Sequence, residues 1–133
     1  MASLSTALYE VLYVSQLAPG MQPGVVAEIA GPTRIANAAL DITGVLIFDG
    51  QRFCQQLEGP RKAVLKLVER IRNDARHVAM EVVHHGPLQD RRFRQFSLAF
   101  STLEDVDALA RLEALDGRAA LDAFSAVCRD LEF

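Results

Sequence analysis

Arg52-Phe53-Cys54-Gln55-Gln56-Leu57-Glu58-Gly59 is the stretch from which the fold of this chain can be read. Period-two alternation sends Phe53, Gln55 and Leu57 to one face of a strand and Cys54, Gln56 and Glu58 to the other. A carboxamide thereby stands between two core residues. A buried amide without partners costs about 1–3 kcal/mol, so Gln55 calls for a hydrogen-bond partner, either a neighbouring protein group or a ligand. Asp49-Gly50 just upstream is a hairpin turn signal, and Ile42 to Phe48 before it reads as the antiparallel partner strand.

Working outward from the hairpin, Tyr9 to Ser15 forms a β-rich run that ends in the polar, turn-forming stretch Gln16 to Pro23. A helix is expected from about Gly24. Pro32 lacks a donor and clashes with the carbonyl of Glu28, so that helix should kink or restart at Gly31-Pro32, with its second half running from Thr33 to about Leu40. Gly59-Pro60 opens a second helix, in which Ala63, Val64, Leu67, Val68 and Ile71 form one apolar stripe. Val78, Met80 and Val82 then alternate with Ala79, Glu81 and Val83, and a last strand is expected to place Phe96, Leu98 and Phe100 on a common face. The order β-α-β-β-α-β-β predicts an α+β, ferredoxin-like mixed sheet with two helices on one face. Thr102 with Asp105 resembles a capping box before the helical pattern of Leu103, Val106, Leu109, Ala110 and Leu112. Leu121, Phe124, Val127, Cys128 and Leu131 suit another helix after Gly117. A C-terminal helical hairpin is therefore expected on the other sheet face, dividing the chain into a sheet domain, 1–101, and a tail, 102–133.

Composition narrows the function. A chain of 133 residues with 50% apolar residues supports one core. With 14 basic and 17 acidic residues and no basic patch, nucleic acid is not an expected partner. The cluster Arg91-Arg92-Phe93-Arg94 reads as a solvated loop. No apolar run is long enough for a bilayer and no signal core opens the chain, so a soluble cytoplasmic protein without a membrane partner is expected. Cys54 and Cys128 have no metal-ligand spacing and read as reduced packing residues.

Tyr13 in Leu12-Tyr13-Val14-Ser15, Asn37 in Thr33-Arg34-Ile35-Ala36-Asn37, Ile42-Thr43-Gly44, Gln55 with Leu57-Glu58-Gly59, and Asp74-Ala75-Arg76-His77 follow one another in the order and spacing of BLUF domains. The resemblance covers roughly residues 7 to 101 and includes Arg92-Phe93 and the Ser97 to Phe100 pattern. It implies a blue-light sensor that binds FAD non-covalently between the two helices and the sheet. It also implies roles: Tyr13 as electron and proton donor, Gln55 as the switching amide between Tyr13 and the flavin, and Asn37 fixing the ring. Ile29 and Arg34 match further positions near the ring, while Asp74, Arg76 and His77 match positions toward the ribityl and phosphate part. Nothing after residue 101 reads as an output enzyme, which resembles the short BLUF proteins; a homo-oligomer and a separate downstream signalling protein are the expected partners.

Read from the residues alone, other assignments stay open. Tyr13 also suits a half-buried strand aromatic, Asn37 a local cap, and Asp74, Arg76 and His77 an exposed helix terminus. Two positions depart from the family pattern. Phe96 stands where many members carry tryptophan, and Leu98 where methionine is frequent; both positions are thought to relay the signal. The chain contains no tryptophan, so Tyr13 is expected to be the one effective donor near the ring. The rival functions are an acylphosphatase-like hydrolase on the same fold, which lacks a basic phosphate loop in residues 16–23, and a flavin-binding domain without a photocycle.

Overall fold

In the computed structural model, which describes residues 7–131, the Gln55 strand lies at the centre of a five-stranded sheet. The elements are β1 (Leu8–Leu17), α1 (Val25–Ala39), β2 (Thr43–Phe48), β3 (Arg52–Pro60), α2 (Arg61–Arg72), β4 (His77–Leu88), β5 (Ala99–Thr102), α3 (Val106–Glu113) and α4 (Gly117–Asp130). Spatial order is β4-β1-β3-β2-β5. β3 runs antiparallel to both β1 and β2, β4 runs antiparallel to β1, and β5 adds to the edge parallel to β2. The crossovers through α1 and α2 each skip one strand, which is the ferredoxin-like α+β arrangement that the element order predicts.

Alternation along the strands divides the side chains between two cores. On one face Tyr9, Val11, Tyr13 and Leu57 meet Val64, Leu67 and Val68 of α2. Leu46, Phe48 and Phe53 meet Val26 and Ala30 of α1 on the same side. On the opposite face Leu12, Val14, Val45, Ile47 and Cys54 pack against α3 and α4 through Leu109, Leu112, Leu121 and Phe124. Burying a side chain as fully as Phe124, 1% exposed, contributes about 1.5–3 kcal/mol, so the tail helices are fastened to the sheet by packing. Among the described residues no helix is long and apolar enough to cross a membrane.

Four local expectations are corrected. α1 passes through Pro32 as one helix from Val25 to Ala39 and does not restart. Pro32 and Glu28 both lie on its exposed side, where water can take the bond that proline cannot donate, and buried Val26, Ala30 and Asn37 hold both halves to the molecule. Asp105, not Thr102, caps α3: its carboxylate accepts from the Asp107 backbone N–H at 2.9 Å. Thr102 is still paired with Phe48 in the sheet. β5 begins only at Ala99, so the stretch before it is irregular, and Phe96 falls on the tail-facing side while Leu98 and Phe100 fall on the α1 side. Finally, Arg91 and Arg92 lie in a loop from which Arg94 faces solvent, but they do not hang free. Arg91 donates to the Thr43 hydroxyl at 2.9 Å, and Arg92 donates to the Glu10 carboxylate at 2.9 Å.

Candidate functional site

The β1–β3 register sets Tyr13 directly opposite Gln55. Both side chains point to the face covered by α1 and α2, where Tyr13 is 4% and Gln55 3% exposed. The Tyr13 hydroxyl donates to Gln55 Oε1 at 2.5 Å. Half of the amide's requirement is thus met by protein. Gln55 Nε2, buried, has no protein partner, which leaves a donor that calls for an acceptor from elsewhere.

That donor adjoins a cavity of about 200 Å³ between the two helices. Tyr13, Leu46, Phe53 and Gln55 form its floor on the sheet, with Ile29 and Thr33 of α1 on one side. Leu67, Arg70 and Ile71 of α2 stand on the other, and Asp74, Arg76 and His77 close the end after α2. Walls of this kind, apolar with few polar groups, suit a flat organic ligand held by edge hydrogen bonds.

Electrostatics keep Tyr13 protonated. Burial pushes its phenol well above the ordinary tyrosine range, and the neighbouring Cys54 and Asp74 add to the rise. The rim is set by a fork: Arg76 Nε and Nη2 donate to the two Asp74 oxygens at 2.9 and 2.6 Å, and the Arg76 backbone N–H adds a third bond at 2.9 Å. These bonds hold the Asp74 carboxyl below its usual range against the opposing effect of burial. His77 is wedged beside the floor. Its Nε2 contacts the Ile71 carbonyl and its Nδ1 lies 2.8 Å from Ser15 Oγ. A carbonyl only accepts, so the neutral ring carries its proton on Nε2 and the Ser15 hydroxyl donates to Nδ1. The ring meets Phe53 edge-on with centroids 6.3 Å apart and lies 6.2 Å from Tyr13.

Of the residues singled out from sequence, the fold therefore brings Tyr13, Ile29, Gln55, Asp74, Arg76 and His77 around one cavity. Asn37 and Arg34 are placed differently. Asn37 is fully buried and its Nδ2 donates to the Ser97 carbonyl at 2.9 Å, while its Oδ1 has no protein partner. Arg34 Nε donates to the Leu98 carbonyl at 2.8 Å. Both thus tie α1 to the segment that carries Phe96 and Leu98. Arg70 and Thr33 were missed from sequence; each sits one helical turn from a recognised residue and carried no signal of its own. Also missed was a polar cluster on the opposite sheet face, Glu10, Gln56 and Glu58, each at most 3% exposed. There a signal existed, because alternation already put Gln56 and Glu58 beside Cys54.

Residues 8–99 match the family described as sensors of blue-light using FAD. Over 104 residues the chain is 36% identical to photoactivated adenylate cyclase subunit beta of Euglena gracilis, a match covering 77% of this chain and 12% of that protein. The chain thus corresponds to a small part of the curated relative's length. The fold superposes on BlrB, a BLUF protein in its dark state, with TM-score 0.76 and 30% identity over 90% of this chain and 93% of that one. It also resembles Klebsiella pneumoniae BlrP1 with FMN and cyclic diGMP, with TM-score 0.73 and 29% identity over 90% of this chain and 34% of that one.

Proposed function

The chain belongs to the BLUF family of flavin-binding blue-light sensors, and we propose that it is a photoreceptor that binds FAD non-covalently in the cavity beside Gln55. One observation carries this reading: the buried Tyr13–Gln55 hydrogen bond leaves Gln55 Nε2 unpaired next to a slot between two helices. The residues fit a flavin. Its edge offers carbonyl and imine acceptors for Nε2, its faces suit Ile29, Leu67 and Ile71, and with Arg76 paired to Asp74 the Arg70 guanidinium leaves one net positive charge at the rim. Charge at the rim favours FAD over riboflavin, and the family description favours FAD over FMN.

Bound flavin supplies the blue-absorbing ring and an excited state that takes up an electron. The protein's part is to hold and move one proton. Tyr13 keeps its proton on Oη at rest, 2.5 Å from Gln55 Oε1, and a phenol that loses an electron becomes a strong acid with that oxygen as the nearest acceptor. An amide donates from one end and accepts at the other. Turning Gln55 over as its imidic-acid tautomer, with one hydrogen moved from nitrogen to oxygen, exchanges those ends: its nitrogen would then accept from the Tyr13 hydroxyl and Oε1–H would donate into the cavity. Burial of the pair excludes water that would scramble the two arrangements.

In this reading residues 1–101 are the light-sensing part and 102–133 the relay to a partner, either a second copy of the chain or a separate signalling protein. Asn37 and Arg34 act on α1 and on Ser97–Leu98 together, and Phe96 and Leu98 lie in the stretch that transmits the change. The test is an absorption spectrum of purified, flavin-loaded protein before and after blue illumination. A reversible red shift that vanishes in Tyr13→Phe is expected. A colourless protein that takes up no flavin, or a yellow one that does not respond to light, overturns the proposal.

A further inference from the structure

On the sheet face turned away from Gln55, Glu10 of β1 and Glu58 of β3 stand directly opposite each other, at 3% and 0% exposure. Like charges in that position repel, and a buried ionic cluster is poor value for stability compared with apolar packing. What the cluster does hold is the irregular segment before β5. Glu58 accepts from the Phe93 backbone N–H at 2.7 Å and the Arg92 backbone N–H at 3.0 Å. Glu10 accepts from Arg92 Nε at 2.9 Å and from Gln56 Nε2 at 2.7 Å, with His84 Nε2 at 3.1 Å. Arg92 therefore grips both carboxylates, one through its backbone and one through its side chain.

The same segment is gripped from the flavin side. Asn37 donates to the Ser97 carbonyl and Arg34 to the Leu98 carbonyl, while the Gly44 N–H donates to the Phe96 carbonyl at 2.9 Å. Phe93 meets Phe124 of α4 edge-on, with centroids 6.2 Å apart. An unbroken set of contacts thus leads from Gln56, the chain neighbour of Gln55, through Glu10 and Arg92 to Phe93, and from there to the tail. Gln56 is anchored on one side only, since its Oε1 is buried without a partner. Its Nε2 faces Glu10 because a carboxylate accepts and repels an amide oxygen.

We infer that Gln56, Glu10 and Arg92 form a positioning relay through the sheet, which converts a change in the Gln55 strand into a shift of residues 91–98 and of α4 packed on Phe93. The inference rests on the photoreceptor reading, with Gln55 as the two-state element that biases the contacts. None of the three residues lines the flavin cavity.

The experiment uses the flavin-loaded full chain and two readouts: the light-induced absorption shift, which is local to the cavity, and the light-minus-dark difference in backbone hydrogen exchange over residues 91–98 and 117–130. The unaltered protein is expected to show both. Glu10→Gln and Arg92→Lys should keep the absorption shift at full size and lose the exchange difference. A purely structural role would alter dark-state exchange and leave the light-dependent difference in place. Should both variants fail to fold, Gln56→Leu serves instead, because it leaves Glu10 paired with Arg92 and His84 and cuts the relay at its strand end. An exchange difference that persists in the folded variants overturns the relay, as does an unaltered protein that shifts its spectrum without any exchange change in these segments. An unaltered protein with no absorption shift overturns the photoreceptor reading itself, and the relay with it.

Discussion

Gln55→Leu separates the stability of the protein from its affinity for flavin, and the structure sets the size of both effects. In the flavin-free protein the substitution removes the hydrogen bond from Tyr13 to Oε1, a net loss of about 0.5–1.5 kcal/mol plus an unpaired hydroxyl. It also removes the buried, unpartnered Nε2, whose desolvation costs about 1–3 kcal/mol in the unaltered protein. The two nearly cancel, and leucine continues the apolar face of Phe53 and Leu57. Stability by urea unfolding is therefore expected to stay within about 1 kcal/mol of the unaltered protein. Affinity behaves oppositely. Without Nε2 the flavin edge loses a buried partner worth about 1–3 kcal/mol, so Kd from flavin fluorescence quenching should rise about 5- to 150-fold. Tyr13→Phe is the control: it leaves both ends of the Gln55 amide unpaired and should destabilise the flavin-free protein by more than Gln55→Leu does. An unchanged Kd for Gln55→Leu, or a loss of more than about 3 kcal/mol in the flavin-free form, would refute the assignment of Gln55 as a ligand-facing donor.

Three further outcomes are expected. A Cβ on Gly44 would lie 2.1 Å from the Gln56 carbonyl oxygen and 3.2 Å from its carbon, both in paired backbone that cannot step aside. Gly44→Ala should therefore cost at least the upper end of the overpacking range, about 3 kcal/mol, by urea unfolding, whereas Gly86→Ala, with nothing within 4 Å of its Cβ, should not approach that loss. The Glu10 carboxyl is held below its ordinary 4.5 because bonds from Arg92, Gln56 and His84 outweigh the opposing burial. A depressed carboxyl adds stability above its unfolded value and loses it as pH falls through the folded one, so unfolding free energy should drop on acidification below about 4.5 and drop less steeply in Glu10→Gln; equal slopes would contradict the pairing. Burial pushes the Cys54 thiol far up and the Cys128 thiol up to about 12, so alkylation near pH 8 should proceed only as fast as the protein unfolds, and fast labelling of native protein would contradict this.

Much of the site was legible because its residues lie on elements with simple periods. Alternation alone put Gln55 between Phe53 and Leu57, and the stripe Val64, Leu67, Val68 marked the helix that covers it. Tyr13 required the family resemblance, since nothing local distinguishes it from Tyr9 on the same face. Arg91 and Arg92 were misread for the same reason in reverse. In isolation such a run is a solvated loop, and their partners Thr43 and Glu10 are 48 and 82 residues away. Phe96 was assigned to the face of Leu98 by extending the strand pattern upstream of Ala99, where the backbone is held by Asn37 and Arg34 of α1 and a single bond from the Gly44 N–H instead of by a ladder.

The chain's own pattern of apolar and polar residues determined the two apolar faces of the sheet and the need of the Gln55 amide for a partner, because side-chain direction follows from local backbone period. The register that sets Tyr13 against Gln55, the cavity between α1 and α2, and the grip of Glu10 and Glu58 on residues 91–98 were decided only by tertiary structure. Those pairings join groups far apart in sequence, and their energies depend on the burial and distance that the assembled sheet alone provides.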